Sequence, residues 1–139
     1  MAYGFNPAGV WSPGPLASQG TIAGDGVMLH ITGQVGWDAE GKVVGRGDPA
    51  AQAGQALKNI KVIVEAAGGT MEDIVAITVY FLDRAHLPAI YEARARYFTS
   101  PGAPASTAVQ VVGLVDPELL VEITPVAFIP HKRFKRPQS

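Results

Sequence analysis

Within residues 119–128, LLVEITPVAF, one ionisable side chain stands among apolar and β-branched neighbours: Glu122. A carboxylate buried beside Val121 and Ile123 carries a heavy desolvation penalty unless it is paired, hydrogen-bonded or protonated. Two readings follow from the residues. Either Glu122 and Thr124 point to the wet face of a strand, or Glu122 is a pocket carboxylate able to accept and return a proton. The surrounding stretch, PASTAVQVVGLVDPELLVEITPVAF (104–128), adds Asp116 and Glu118 in a turn but holds no Lys or Arg. The expected cationic partner is missing from it.

A second stretch, VMLHITGQVGWD (27–38), sets Met28, His30 and Thr32 on one strand face. His30 reads as a base or as a hydrogen-bonded packing residue, and Thr32 with the Gly33 backbone as pocket lining. His30 has no second His or carboxylate at ligand spacing, so the pattern offers no metal site. The chain has no Cys, which removes thiol nucleophiles and disulfides. Its glycines follow neither the dinucleotide fingerprint nor the phosphate-loop pattern. Ser12, Ser18, Ser100 and Ser106 lack a nucleophile elbow. The terminal HKRFKR (131–136) is a candidate contact for RNA or an acidic partner, against the plainer reading of a solvated, poorly ordered end.

These side chains need elements to hold them. The first fifteen residues, rich in Gly, Pro and aromatics, read as an extended arm. Residues 18–35 read as a hairpin turning at Gly24-Asp25-Gly26, and 37–48 as turns around Val43-Val44. Asp48-Pro49 should start a helix, Asp accepting from a free N–H of the first turn and Pro pre-organising it. Ala53, Ala56, Leu57, Ile60, Val64 and Ala67 give it one apolar face, and Gly68-Gly69 end it. Thr70-Met71-Glu72-Asp73 reads as a capped turn. IVAITVYFL (74–82) is apolar on alternate and intervening positions, as in a strand covered on both sides. A second helix at about 86–98 carries Leu87, Ile90, Tyr91, Arg94 and Tyr97 on one stripe, and SPGAP (100–104) breaks it. Strands at 105–112 and 119–128 complete an α+β order with two helices on one sheet face. The other face, still apolar, calls for a partner, and self-association supplies one.

The 139 residues and net charge of −1 fit one domain at 1–129 followed by a basic tail at 130–139. No secretory leader and no apolar run long enough to span a bilayer are visible. The charge provides no field to recruit nucleic acid or membrane. A cytoplasmic protein is expected.

ITGQVGWDAEGKVVG, QALKNIKVIVEAAGG, DIVAITVYFLD, YEARARYF and PASTAVQVVGLVDPELLVEI, in that order across residues 18–128, resemble the RidA/YjgF family of enamine/imine deaminases. The resemblance implies a chorismate-mutase-like α+β fold, a homotrimer around a central barrel, and pockets at the subunit interfaces. It implies Glu122 as the catalytic acid, with Thr32, Gly33, Tyr91, Ser106, Thr107 and the backbone near Ala108 binding substrate. No metal or organic cofactor is implied. The chain departs from the family pattern in several places. Ser106 stands where the deaminating branch has the Arg that clamps the substrate carboxylate, Tyr91 where it has Asn, and Ala17 near its Tyr. Thr32-Gly33-Gln34 replaces Ser-Gly-Gln. The implied activity is therefore hydrolysis of an imine or enamine other than 2-aminoacrylate, with Glu122 managing the water and Trp37 and Tyr91 shaping the pocket. The alternative is a non-catalytic trimer that binds small metabolites or a protein partner in the same clefts. The endoribonuclease activity associated with the family finds no basic aromatic platform here.

Overall fold

The computed structural model describes residues 3–98 and 103–138. In chain order the elements are β1 (Tyr3–Phe5), β2 (Gly20–Ile22), β3 (Gly26–His30), β4 (Gln34–Val35), α1 (Pro49–Ala66), β5 (Ile74–Phe81), α2 (Leu87–Ala95), β6 (Ala105–Gln110) and β7 (Val121–Pro130). The main sheet runs β3-β7-β5-β6, and β4 continues beside β7 past the end of β3. Only β5 and β6 are parallel. Parallel neighbours need a crossover, and α2 provides it. The result is a mixed sheet with two helices on it, the expected α+β class.

Helix α1 forms where its sequence signals put it. Asp48 Oδ1 accepts from the Ala51 N–H at 3.1 Å, and Pro49 follows as the first helical residue. Ala53, Ala56, Leu57, Ile60 and Val64 are fully buried against the sheet. Gly68, at φ +85°, closes the helix in the left-handed region, which a Cβ would strain. The turn at Met71–Asp73 is capped reciprocally by Thr70 and Asp73.

Strand β7 alternates strictly. Val121, Ile123, Ala127 and Ile129 are sealed under the helices, while Glu122, Thr124, Val126 and Phe128 face the other way and stay half-exposed. Within one protomer only one face of the sheet is covered. The apolar second face, which called for a partner, is open in the single protomer, and Met28 on it is 52% exposed.

Two local expectations are corrected. Strand β2 does not pair with β3: it pairs with β1 in the N-terminal arm, Tyr3 opposite Ile22, while β3 lies against β7. The Gly24–Gly26 bend carries the chain between two sheets instead of folding a hairpin, and the half-buried Leu29 packs on the core while Met28 and His30 remain exposed. The tail is docked where a solvated end was expected. Arg133 makes a two-point ion pair with the fully buried Asp73, at 2.7 and 2.9 Å. The Lys135 N–H donates to the Ala67 carbonyl, and Phe134 packs on the core. The helix end tolerates this approach because a Cβ at Gly68 would strike the Arg133 carbonyl. The expected breaker at 100–104 falls largely outside the described residues, which resume at Ala103.

Candidate active site

Strand alternation separates the candidate residues into two groups on opposite faces of the sheet. Glu122 pairs in register with Tyr80 of β5 and Val35 of β4 and points to the open face, because Val121 and Ile123 on either side are buried in the core. Gly33 packs directly on it. A Cβ at Gly33 would collide with Glu122 Oε2 and come within 2.9 Å of Thr124 Oγ1. Only a glycine lets the backbone approach the carboxylate this closely. Thr32 is exposed beside it. The Glu122 side chain makes no hydrogen bond or ion pair to a described residue, so its carboxylate is available to a ligand or a water. His30, opposite Val126, is exposed on the same open face, four β7 positions from Glu122.

The entry of β7 is set by a residue that the apolar-stripe reading passed over. Gln52 is fully buried on α1. Its amide donates to the Gly45 and Glu118 carbonyls, at 3.2 and 3.0 Å, and its Oε1 accepts from the Leu120 N–H at 2.8 Å. These bonds tie the loop before β7 to the helix two residues ahead of Glu122.

The second group lies under α2. Ser106 pairs in register with the buried Ile77 and therefore projects toward the helices. Tyr91, Ser106 and Ala108 line a cavity of about 190 Å³, with Trp11 and Ala17 of the arm at its edge. Thr107 points the opposite way and lines a neighbouring cavity of about 370 Å³ with Thr78. Trp37 belongs to neither. It lines a third cavity of about 740 Å³ between β4 and α1, so Tyr91 and not Trp37 shapes the space beside Ser106. Glu122 and Ser106 do not meet within one protomer.

A cation from outside the β6–β7 stretch does stand beside Ser106. Arg94 of α2 is 2% exposed. Its Nη1 donates to Ser106 Oγ at 3.1 Å and its Nη2 to the Leu16 carbonyl at 2.8 Å. The guanidinium carbon sits 5.7 Å from the Tyr91 ring centroid, within cation–π range. Burial pulls Arg94 below its usual pKa, with Tyr91 opposing, yet a guanidinium stays protonated. Sequence reading placed Arg94 on the apolar stripe with Ile90 and Tyr97. The available signal was an arginine at a core position of an otherwise apolar helix face.

A family model described as Endoribonuclease L-PSP matches residues 14–129. This chain belongs to that family, also called YjgF/RidA. Among solved YjgF/RidA structures it is similar to a Rid-family protein of unknown function from Yersinia pestis. That match has 33% identity and a TM-score of 0.85, and covers 92% of this chain and 98% of the other. RidA from an Antarctic Psychrobacter species is 32% identical over 91% and 94% of the two chains, with a TM-score of 0.68. A putative endoribonuclease from Thermotoga maritima is 27% identical over 91% of each, with a TM-score of 0.67. The family match supports the fold and leaves the substrate to the site's own chemistry. Among the described residues no three His, Asp or Glu side chains gather as a metal site, and no helix is long and apolar enough to cross a membrane.

Proposed function

We propose that this protein hydrolyses carbon–nitrogen double bonds, converting an imine, or an enamine through its imine tautomer, to a carbonyl compound and ammonia. The observation that carries the reading is the Glu122 carboxylate, half-buried against the Gly33 backbone and unpaired with any described side chain. Glu122 takes a proton from water as the oxygen bonds to the imine carbon. It passes that proton to nitrogen to give the carbinolamine, then carries the carbinolamine hydroxyl proton to the same nitrogen as the C–N bond breaks, leaving the carbonyl and ammonia. No metal or organic cofactor is needed for these steps.

The working unit in this reading is a homotrimer. Its interfaces would cover the open sheet face and bring the Gly33–Glu122 group of one protomer to the Tyr91–Arg94–Ser106 group of its neighbour. The reading of a substrate other than 2-aminoacrylate rests on Ser106 standing where the deaminating branch has Arg, and Arg94, bonded to Ser106, is the nearby cation against which that reading is weighed. An RNA backbone calls for an exposed cationic track, whereas the cation of this site is enclosed in a small cavity. That favours a small molecule over the nuclease activity in the family's description.

The test is ammonia release from freshly generated imines. Glu122→Gln keeps the shape and removes the base, and turnover is expected to fall by about 10²–10⁴-fold, the usual worth of a positioned acid–base group. Full activity in Glu122→Gln contradicts the mechanism. Tight ligand binding by the native protein without any turnover would support the non-catalytic alternative.

A further inference from the structure

Two side-chain oxygens converge on Gly33. A Cβ there would strike Glu122 Oε2 and stand 2.9 Å from Thr124 Oγ1. Glu122 and Thr124 are two residues apart on β7 and share the open sheet face. The Thr124 hydroxyl makes no hydrogen bond to a described residue, yet it lies close enough to Glu122 for one water to bond to both. Thr124 also ends a row. In register across the sheet, Thr107 of β6 stands beside Thr78 of β5, and Thr78 stands opposite Thr124. Thr78 lies between the buried Ile77 and Val79, so it faces the open side with the other two. Side chains paired in this way have Cβ atoms about 4.5–5.5 Å apart, a spacing that hydroxyls span directly or through one water. A single threonine is an ordinary strand former. Three in one row that ends beside a carboxylate make a polar track across a face that also carries Val126 and Phe128. The outer end of the track opens into the cavity of about 370 Å³ that Thr78 and Thr107 line with Ser18 and Gln19.

We propose that Thr124 positions the hydrolytic water: its hydroxyl and the Glu122 carboxylate hold one water between them, and Thr78 and Thr107 connect that water to the cavity. The use of this water in turnover rests on the hydrolase reading above, whereas its binding between the two side chains does not. A hydroxyl has one hydrogen to donate and two lone pairs. Thr124 Oγ accepts one hydrogen of the water and Glu122 accepts the other, which leaves an oxygen lone pair free for the imine carbon. The Thr124 hydrogen points onward to Thr78. As the oxygen–carbon bond forms, the O–H bond toward Glu122 breaks and its proton passes to the carboxylate, while Thr124 keeps its own. The threonine thereby fixes the direction of attack, and orienting a reactant in this way lowers the barrier without tightening substrate binding.

The test compares the native protein with Thr124→Val, which keeps the shape and removes the hydroxyl, and Thr124→Ser, which keeps the hydroxyl. High-resolution crystals of the native protein are expected to show a water within hydrogen-bond distance of both the Glu122 carboxylate and Thr124 Oγ1. Thr124→Val should lose or displace that water, and Thr124→Ser should restore it. In ammonia release from freshly generated imines, Thr124→Val should lower kcat about ten-fold with KM little changed, the factor of one hydrogen bond made in the transition state. Thr124→Ser should recover part of that loss, which a purely structural role of the methyl group would not allow. Native crystals with no water shared by the two side chains overturn the proposal, even if the variants fail to fold. So does the same water in Thr124→Val, or a native kcat in that variant. A shared water in a native protein that releases no ammonia would sustain the water site and count against the hydrolase reading alone.

Discussion

Glu122 and Arg94 show how far single residues could be read from the sequence. A carboxylate between Val121 and Ile123 is conspicuous because β-alternation leaves it only two fates, a wet face or a pocket. Gly33 also carried a signal, yet the reason for a glycine there, a backbone packed on Glu122 Oε2, depends on β4 lying beside β7 and is invisible locally. Gly33→Ala is expected to displace the carboxylate and lower turnover while the melting temperature changes little. Activity at the native level in that variant would mean that the close approach is not needed. Arg94 was hidden for a different reason. Its role depends on Ser106 facing the helices, which is fixed by the register of β6 on β5.

Among the elements, α1 was the most legible, because its start, stripe and stop are all local signals. The pairing of β2 with the arm was not, since both partners are three-residue strands whose choice is made by the rest of the fold. Gln52 and Asp73 are polar residues that the fold places in its interior. Gln52→Leu should destabilise the protein by about 1–3 kcal/mol, because it strands the Leu120 N–H and two carbonyls. Chemical denaturation measures this. Burial alone would raise the Asp73 pKa, but hydrogen bonds from Arg133 and the Thr70 amide outweigh it and hold the carboxyl below its usual 3.8. Stability from this group is therefore fully present above about pH 4 and is lost as pH falls through the lower folded-state value, where the unfolded chain binds the extra proton. Arg133→Met should weaken this acid dependence as well as overall stability. An unchanged acid-unfolding profile would show that the tail latch contributes nothing.

For the whole molecule, the uncovered sheet face is the consequence the sequence predicted best in kind. Val, Phe and Met on the face opposite the helices make a surface that a lone protomer leaves half-exposed, and the proposed trimer would bury it. Val126→Asp places a charge on that face without touching the core beneath the helices. It should leave a folded monomer by light scattering, with turnover lost because the two half-sites no longer meet. A native-size assembly with Val126→Asp would remove this face from the interface.

The central claim is that catalysis joins Glu122 of one protomer to Arg94 of another. Complementation tests it most directly. Glu122→Gln and Arg94→Gln, each expected to be inactive alone on a panel of freshly generated imines, are co-expressed and purified together, and ammonia release is measured. In randomly mixed closed rings about a quarter of the interfaces pair two intact halves, so activity should return to about that fraction of the native rate. If mixed assemblies form and remain as inactive as their parents, the two residues do not share a site across the interface.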